Sequence, residues 1–144
     1  MPDGPASKRG ALRRGGSGYR ETVPTEPSPV TLFEVVKRAV EICDPAGEDE
    51  ALADFLRRFE DRDEPITAVG NLEDETLEEA RRVDPEGDDP ALAMAAAVTT
   101  YLGFKRDALG APDDQLLRLA ARSEFDGHPP PAVADWLRAR GVEV

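Results

Sequence analysis

The sequence predicts an all-α fold: a compact orthogonal or bundle-like array of five to six helices around a central Ala-rich helix at about residues 90–109, preceded by a basic arm. Three observations predict it. Apolar residues recur at spacings of three and four in one segment after another. Capping residues and prolines open these segments, and glycines or prolines close them. No alternating apolar–polar run is long enough to supply a sheet, and no internal repeat is read. Hydrophobic residues make up 40% of the chain and charged residues 33%, so a packed core is affordable beneath a heavily charged surface.

Residues 1–28, "MPDGPASKRGALRRGGSGYRETVPTEPS", are rich in Gly, Pro, Ser and Arg and carry five basic against three acidic side chains. They cannot bury enough apolar surface to offset the entropy of ordering, so they read as a disordered arm. Residues 29–144 read as one helical domain. Ser28-Pro29 is the expected helix start, a capping hydroxyl before a residue with no amide to lose. Leu32, Val35, Val36, Ala39, Val40 and Cys43 then form the apolar face of the first helix, and Pro45 and Gly47 end it. Leu52, Phe55, Leu56 and Phe59 stripe a second helix over about 49–60, while Ile66 and Val69 plug the core as a helical turn or an extended piece. The third helix, "LEDETLEEARRV", is thin: Leu72, Leu77, Ala80 and Val83 are its only apolar contacts.

The central segment follows. Asp89 and Pro90 open it and Gly110 is the expected stop. Its uncharged run, Ala91–Phe104, falls short of the roughly twenty residues of a membrane span. A helix that is apolar all round is a buried one. Its small residues let neighbours approach closely, and Leu92, Met94, Val98, Tyr101, Leu102, Phe104 and Leu109 supply volume. The last two helices carry Leu116, Leu117, Leu119 and Ala120, then Val133, Trp136 and Leu137, with Gly141 as the final stop. The closing "GVEV" could pair as a strand only if an edge were on offer.

Little chemistry is assembled in this pattern. A di-iron bundle site needs Glu-x-x-His pairs, but the only histidine, His128, lies in the loop "EFDGHPPP" with Glu124 four positions away. An EF-hand needs glycine at position 6 and glutamate at 12; "DPEGDDPALAMA" and "DPAGEDEALADF" have neither in register. Cys43 lies on an apolar face, where a lone cysteine is a small core residue. There is no nucleophile elbow, phosphate-binding glycine loop or zinc spacing. Carboxylates are so numerous that no acid–base pair stands out. No cofactor or metal is expected, and an enzyme is not the favoured reading.

Charge is unevenly placed. The formal net charge is −12, and residues 44–89 alone hold eighteen acidic against five basic side chains. Such a face repels nucleic acid and attracts basic partners. The favoured function is therefore a non-enzymatic protein-interaction or regulatory module, such as an adaptor, an inhibitor or an antitoxin-like subunit. The expected contact residues are Glu73, Asp74, Glu75, Glu78 and Glu79 on the acidic helix, with Tyr101 and Phe104 where neighbours leave the central helix uncovered. The partner is another protein, of basic character; a homodimer is compatible with this. The alternative is a helix-turn-helix regulator using residues 113–140, with Arg138 and Arg140 toward nucleic acid. Its turn, "SEFDGHPPP", is long for a motif that uses three or four residues, and Asp135 opposes phosphate. Neither a membrane nor, for the folded part, a nucleic acid is the expected partner. The first thirty residues lack the apolar stretch of a signal peptide, so the expected compartment is the cytoplasm.

Overall fold

The computed structural model describes residues 30–144, which form six α-helices with no strand among them. They are α1 (Leu32–Cys43), α2 (Glu50–Arg57), α3 (Leu72–Val83), α4 (Pro90–Phe104), α5 (Asp113–Phe125) and α6 (Pro131–Ala139), with single 3-10 turns at Ile66–Ala68 and Arg106–Ala108. Helix α4 is the axis: it packs against α1, α3, α5 and α6, and to a lesser degree α2. Every helix contributes to one buried cluster.

The start of α1 shows how local chemistry fixes an element. The expected cap at Ser28-Pro29 lies outside the described residues; the helix is capped by Thr31. Thr31 Oγ1 accepts from the Glu34 amide at 3.1 Å, and Glu34 Oε1 accepts from the Thr31 amide at 2.9 Å. The next two amides, of Leu32 and Phe33, donate to the carbonyls of Glu64 and Arg62 at 3.0 and 2.9 Å. All four free amides of this helix end, Thr31 to Glu34, are thus satisfied, two within the capping box and two by tertiary carbonyls. Arg62 in turn holds Glu64 and Glu75, 2.7 and 2.8 Å from its Nη2, which ties the loop before the 3-10 turn to α3.

The structure contains an internal repeat that the sequence reading misses. Helices α1 and α2 are joined by "DPAGED" at 44–49, and α3 and α4 by "DPEGDD" at 84–89. In both loops the first Asp ends a helix, its amide donating to the carbonyl four residues back. Its Oδ2 accepts from the amide of the last Asp, at 2.9 Å for Asp44 and 2.8 Å for Asp84. The last Asp then caps the next helix, Asp49 on Ala51 and Leu52, Asp89 on Ala91 and Leu92. The glycine between them, Gly47 or Gly87, has φ of 70°, where a side chain would be strained. The two segments match as "DPxGxDxALA", a similarity too short to stand out until the loops superimpose in role.

Several boundaries differ from those expected. Helix α2 stops at Arg57, and fully buried Phe59 follows it in a turn, edge-on to Phe55 at 5.2 Å. The central helix ends at Phe104 rather than near Gly110. Beyond it come Lys105, Arg106 and Asp107, and the chain instead turns so that Ala108 and Leu109 pack back against the core. Arg38 fixes this turn: Nε donates to the Leu109 carbonyl at 3.1 Å, Nη2 donates to the Ala111 carbonyl at 3.0 Å, and Nη2 pairs with Asp113. In α5 the buried set is Leu116, Leu117, Ala120 and Ala121, with Leu119 only half-buried. The closing residues form no strand. Gly141, at φ of 77°, and Val142 close α6 by donating to the Arg138 and Leu137 carbonyls, and the Val142 side chain is buried.

The core rests on α4. Leu92, Met94, Val98 and Leu102 are buried, each worth about 1.5–3 kcal/mol relative to exposure. Tyr101 is half-buried and Phe104 is exposed, so the helix contributes less volume than its sequence promises. Buried Thr76 and Thr99 satisfy their hydroxyls on the carbonyls four residues back, at 2.7 and 2.9 Å. Gly103 allows close approach, because a methyl group there would strike the Leu72 side chain of α3.

Val98→Asp should abolish the cooperative melting transition, since a charge at this fully buried position costs more than about 4 kcal/mol, a large share of a small domain's stability. Exposed Glu78→Ala should move the transition by no more than about 0.5 kcal/mol. Circular dichroism melts compare the two; an unchanged melt for Val98→Asp would remove α4 from the centre of the fold.

Candidate functional site

Helix α4 has no polar face, so each neighbour must cover part of its circumference. Helix α1 brings a full apolar face, and α5 brings Leu116, Leu117, Ala120 and Ala121. Helix α3 brings less: only Leu72 and Thr76 are buried on it, with Ala80 and Val83 half-buried. The shortfall leaves a groove of about 310 Å³ between α3, α4 and the end of α5. Its floor is Leu92, Ala93, Ala96, Ala97 and Thr100 of α4; its walls are Leu77 and Ala80 of α3 and Phe125 of α5.

The floor is made of small residues one and two turns apart, so it is deep enough to seat a side chain. Thr100 is 2% exposed, and among the described residues no hydrogen bond engages its hydroxyl. By helical spacing Phe104 continues the same face of α4 one turn beyond Thr100 and is 69% exposed. Leu77, expected in the core, is instead 38% exposed on the groove wall. The core stripe of α3 passes through Thr76 instead, one position away, because its hydroxyl can be satisfied within the helix.

Around this apolar floor the rim is acidic. Glu73 and Glu124 stand at one end and Asp84 and Asp89 at the other, and among the described residues Arg81 is the only cation lining it. Burial pushes the Glu124 carboxyl above its ordinary range, and the charge of Glu73 pushes it further. Burial likewise raises Asp89, aided by Asp49 and Asp84, although its bonds to the Leu92 and Ala91 amides pull the other way. Both ends of the groove therefore hold carboxylates crowded by other carboxylates, an arrangement that a cation would relieve.

The acidic residues singled out from sequence divide into two groups. Glu75 pairs with Arg62, Glu79 with Arg58 and Arg82, and Glu78 with Arg82. They brace α3 against the α2 side or along its own surface. Glu73 and Asp74 are exposed, and no salt bridge engages either among the described residues; of the five, only Glu73 lines the groove. Tyr101 packs against the core and Phe104 is exposed, and neither lines the groove. Of the groove residues the sequence reading singles out Glu73 alone; those it misses include Leu77, Ala93, Ala96, Ala97, Glu124 and Phe125. The signal for four of them was present: small or lone apolar positions on helices too thin or too apolar to cover one another.

Other chemistry-bearing groups are engaged in structure. Cys43 is buried, and burial pushes its thiol up to about 12 despite the opposing pull of Arg140. Arg140 lies 4.0 Å from the Trp136 ring centroid and donates to the Cys43 carbonyl at 2.8 Å, and Arg138 pairs with Asp135. Both arginines at the end of α6 are thus occupied within the fold. Among the described residues no group of three or more His, Cys, Asp or Glu is placed to hold a metal ion, and no helix is long and apolar enough to cross a membrane.

Two outcomes are expected. The Cys43 thiol should react with a disulfide reagent at pH 8 only as fast as the domain opens, and readily in urea; fast native labelling would contradict its burial. Because the folded pKa of Glu124 is raised, the folded state binds its proton more tightly than the unfolded chain does. Glu124 therefore opposes folding at neutral pH, and this penalty is lost as pH falls through its raised pKa. Glu124→Gln should raise the neutral-pH melting temperature slightly, with the gain over wild type disappearing in acid. No protein-family model, no curated protein and no solved structure matches this chain.

Proposed function

We propose that this protein is a non-enzymatic protein-interaction module that holds a short segment of a partner protein in the α3–α4–α5 groove. The segment is basic and carries an apolar anchor. The anchor sits among Ala93, Ala96 and Ala97, and flanking lysine or arginine side chains lie against Glu73, Glu124, Asp84 and Asp89. One observation carries the reading: an apolar floor of small residues enclosed by four carboxylates and a single guanidinium. Apolar burial supplies the affinity, and the rim selects charge and speeds encounter. Roles of this kind include adaptor, inhibitor and regulatory subunit, with no bond made or broken by the module.

The test is fluorescence anisotropy with three synthetic peptides of equal length. One is amphipathic with leucine and lysine, one replaces lysine by glutamate, and one replaces leucine by serine. The first should bind, and more weakly as salt rises; the other two should not. Leu77→Lys with Glu73→Lys, both at exposed positions, should weaken binding by about tenfold or more, while Arg57→Ala on α2 should leave it unchanged. Equal binding of the three peptides, or none by any, would defeat the proposal.

A further inference from the structure

The groove has a candidate occupant within the same chain. Three features of the molecule converge on it, and the inference rests on the reading of the groove as a site for basic, apolar-anchored segments.

The first feature is where the described chain begins. The Val30 carbonyl accepts from the Ile66 amide at 2.8 Å. The Ile66 side chain lies beside Leu72 and Gly103, within 3.9 Å of where a methyl group on Gly103 would stand. Leu72 immediately precedes Glu73, and Gly103 lies one turn beyond Thr100, both of which line the groove. The N-terminal region therefore joins the folded body near the Glu73–Thr100 end of the groove.

The second feature is charge. Residues 4–20 contain Lys8, Arg9, Arg13, Arg14 and Arg20 and no acidic residue, in a chain whose net charge is −12. Leu12 stands among them, between two pairs of cations. This is the chemistry the rim and floor ask for, an apolar side chain flanked by guanidinium groups.

The third is reach. From Val30 back to Leu12 the chain can extend up to about 60 Å. The groove floor, Leu92 to Thr100, rises only about 12 Å along α4. A tether of this length holds a segment at an effective concentration of order millimolar, so even weak affinity fills the groove.

We propose that residues 8–20 dock in cis in the α3–α4–α5 groove, with Leu12 over the alanine floor and the surrounding cations against the carboxylate rim. A partner segment must then displace them, and the chain carries its own competitor for its binding face.

The full chain tests this. Amide spectra are recorded for wild type, for Leu12→Asp, and for a variant with Lys8, Arg9, Arg13 and Arg14 all changed to Glu. Residues 30–144 are unchanged in each variant, and circular dichroism melts check that all three proteins fold alike. Cis docking predicts shift changes between wild type and variants at Leu77, Ala93, Ala96, Ala97 and Thr100, independent of protein concentration and reduced by 0.5 M NaCl. It also predicts that the leucine–lysine peptide binds both variants at least threefold tighter than wild type.

Groove shifts that match in all three proteins, with equal peptide affinity, would overturn cis docking while leaving the groove reading intact. Shifts that grow with protein concentration would overturn it in favour of docking between two copies. Absence of both groove shifts and peptide binding would overturn both readings.

Discussion

The fold depends on burying α4. This helix has no polar side to offer water, so its neighbours must surround it, and their sequences show how well each can do so. Helix α1 presents seven buried residues and covers its flank completely. Helix α5 uses a stripe of leucine and alanine. Helix α3, written mostly in glutamate and arginine, has little apolar surface to give. It fits against α4 through Leu72, Thr76 and the half-buried Ala80 and Val83, with Gly103 yielding space. The groove is the remainder of this uneven coverage, and its position follows from which neighbour is poorest in apolar residues.

Acidity in this protein has two physical roles. Much of it builds structure: Glu34 completes a capping box, Asp49 and Asp89 cap helices, and Asp44 and Asp84 hold the loops in which those caps lie. Glu64 and Glu75 share Arg62, whose hydrogen bond holds the Glu64 carboxyl below its ordinary range. Glu73 and Glu124 have no such partner in the ion pairs of the described residues, and they face each other at the mouth of an apolar groove. A charged surface in general attracts opposite charge weakly and without shape. Four carboxylates around a cavity lined by alanine combine charge with a seat for a side chain, and the proposed binding role rests on that combination.

The repeated "DPxGxD" loops place the groove. In each, one aspartate closes the preceding helix with its amide and accepts on its carboxylate the amide of the residue that opens the next, so hydrogen bonds close to the six-residue loop set the two helices. The first joins α1, with its full apolar face, to α2, and both bury their apolar residues in the common core. The second joins thin α3 to apolar α4. The same loop chemistry thus joins unlike helices, and the groove lies beside the second pair, where α3 has few apolar side chains to lay on α4.

What the sequence determined by itself was local. Helical spacing and caps such as Asp89-Pro90 and Gly141 gave five to six helices, and six are found, because each depends on residues within a turn or two of one another. It also showed that the central segment was too apolar for any place but the interior. Tertiary structure decided the rest. Helix α4 stops at Phe104, and Arg38, from a helix distant in sequence, holds the turn beyond it through the Leu109 and Ala111 carbonyls. Leu77 lines a groove while Thr76 is buried, because the rotation of α3 is set by what α4 and α2 accept. Glu73 and Glu124 become neighbours only when α3 and α5 flank the same helix. Periodicity reveals which face of a helix is apolar, but whether that face is covered depends on the combined shapes of several helices, and no single stretch of sequence contains that sum.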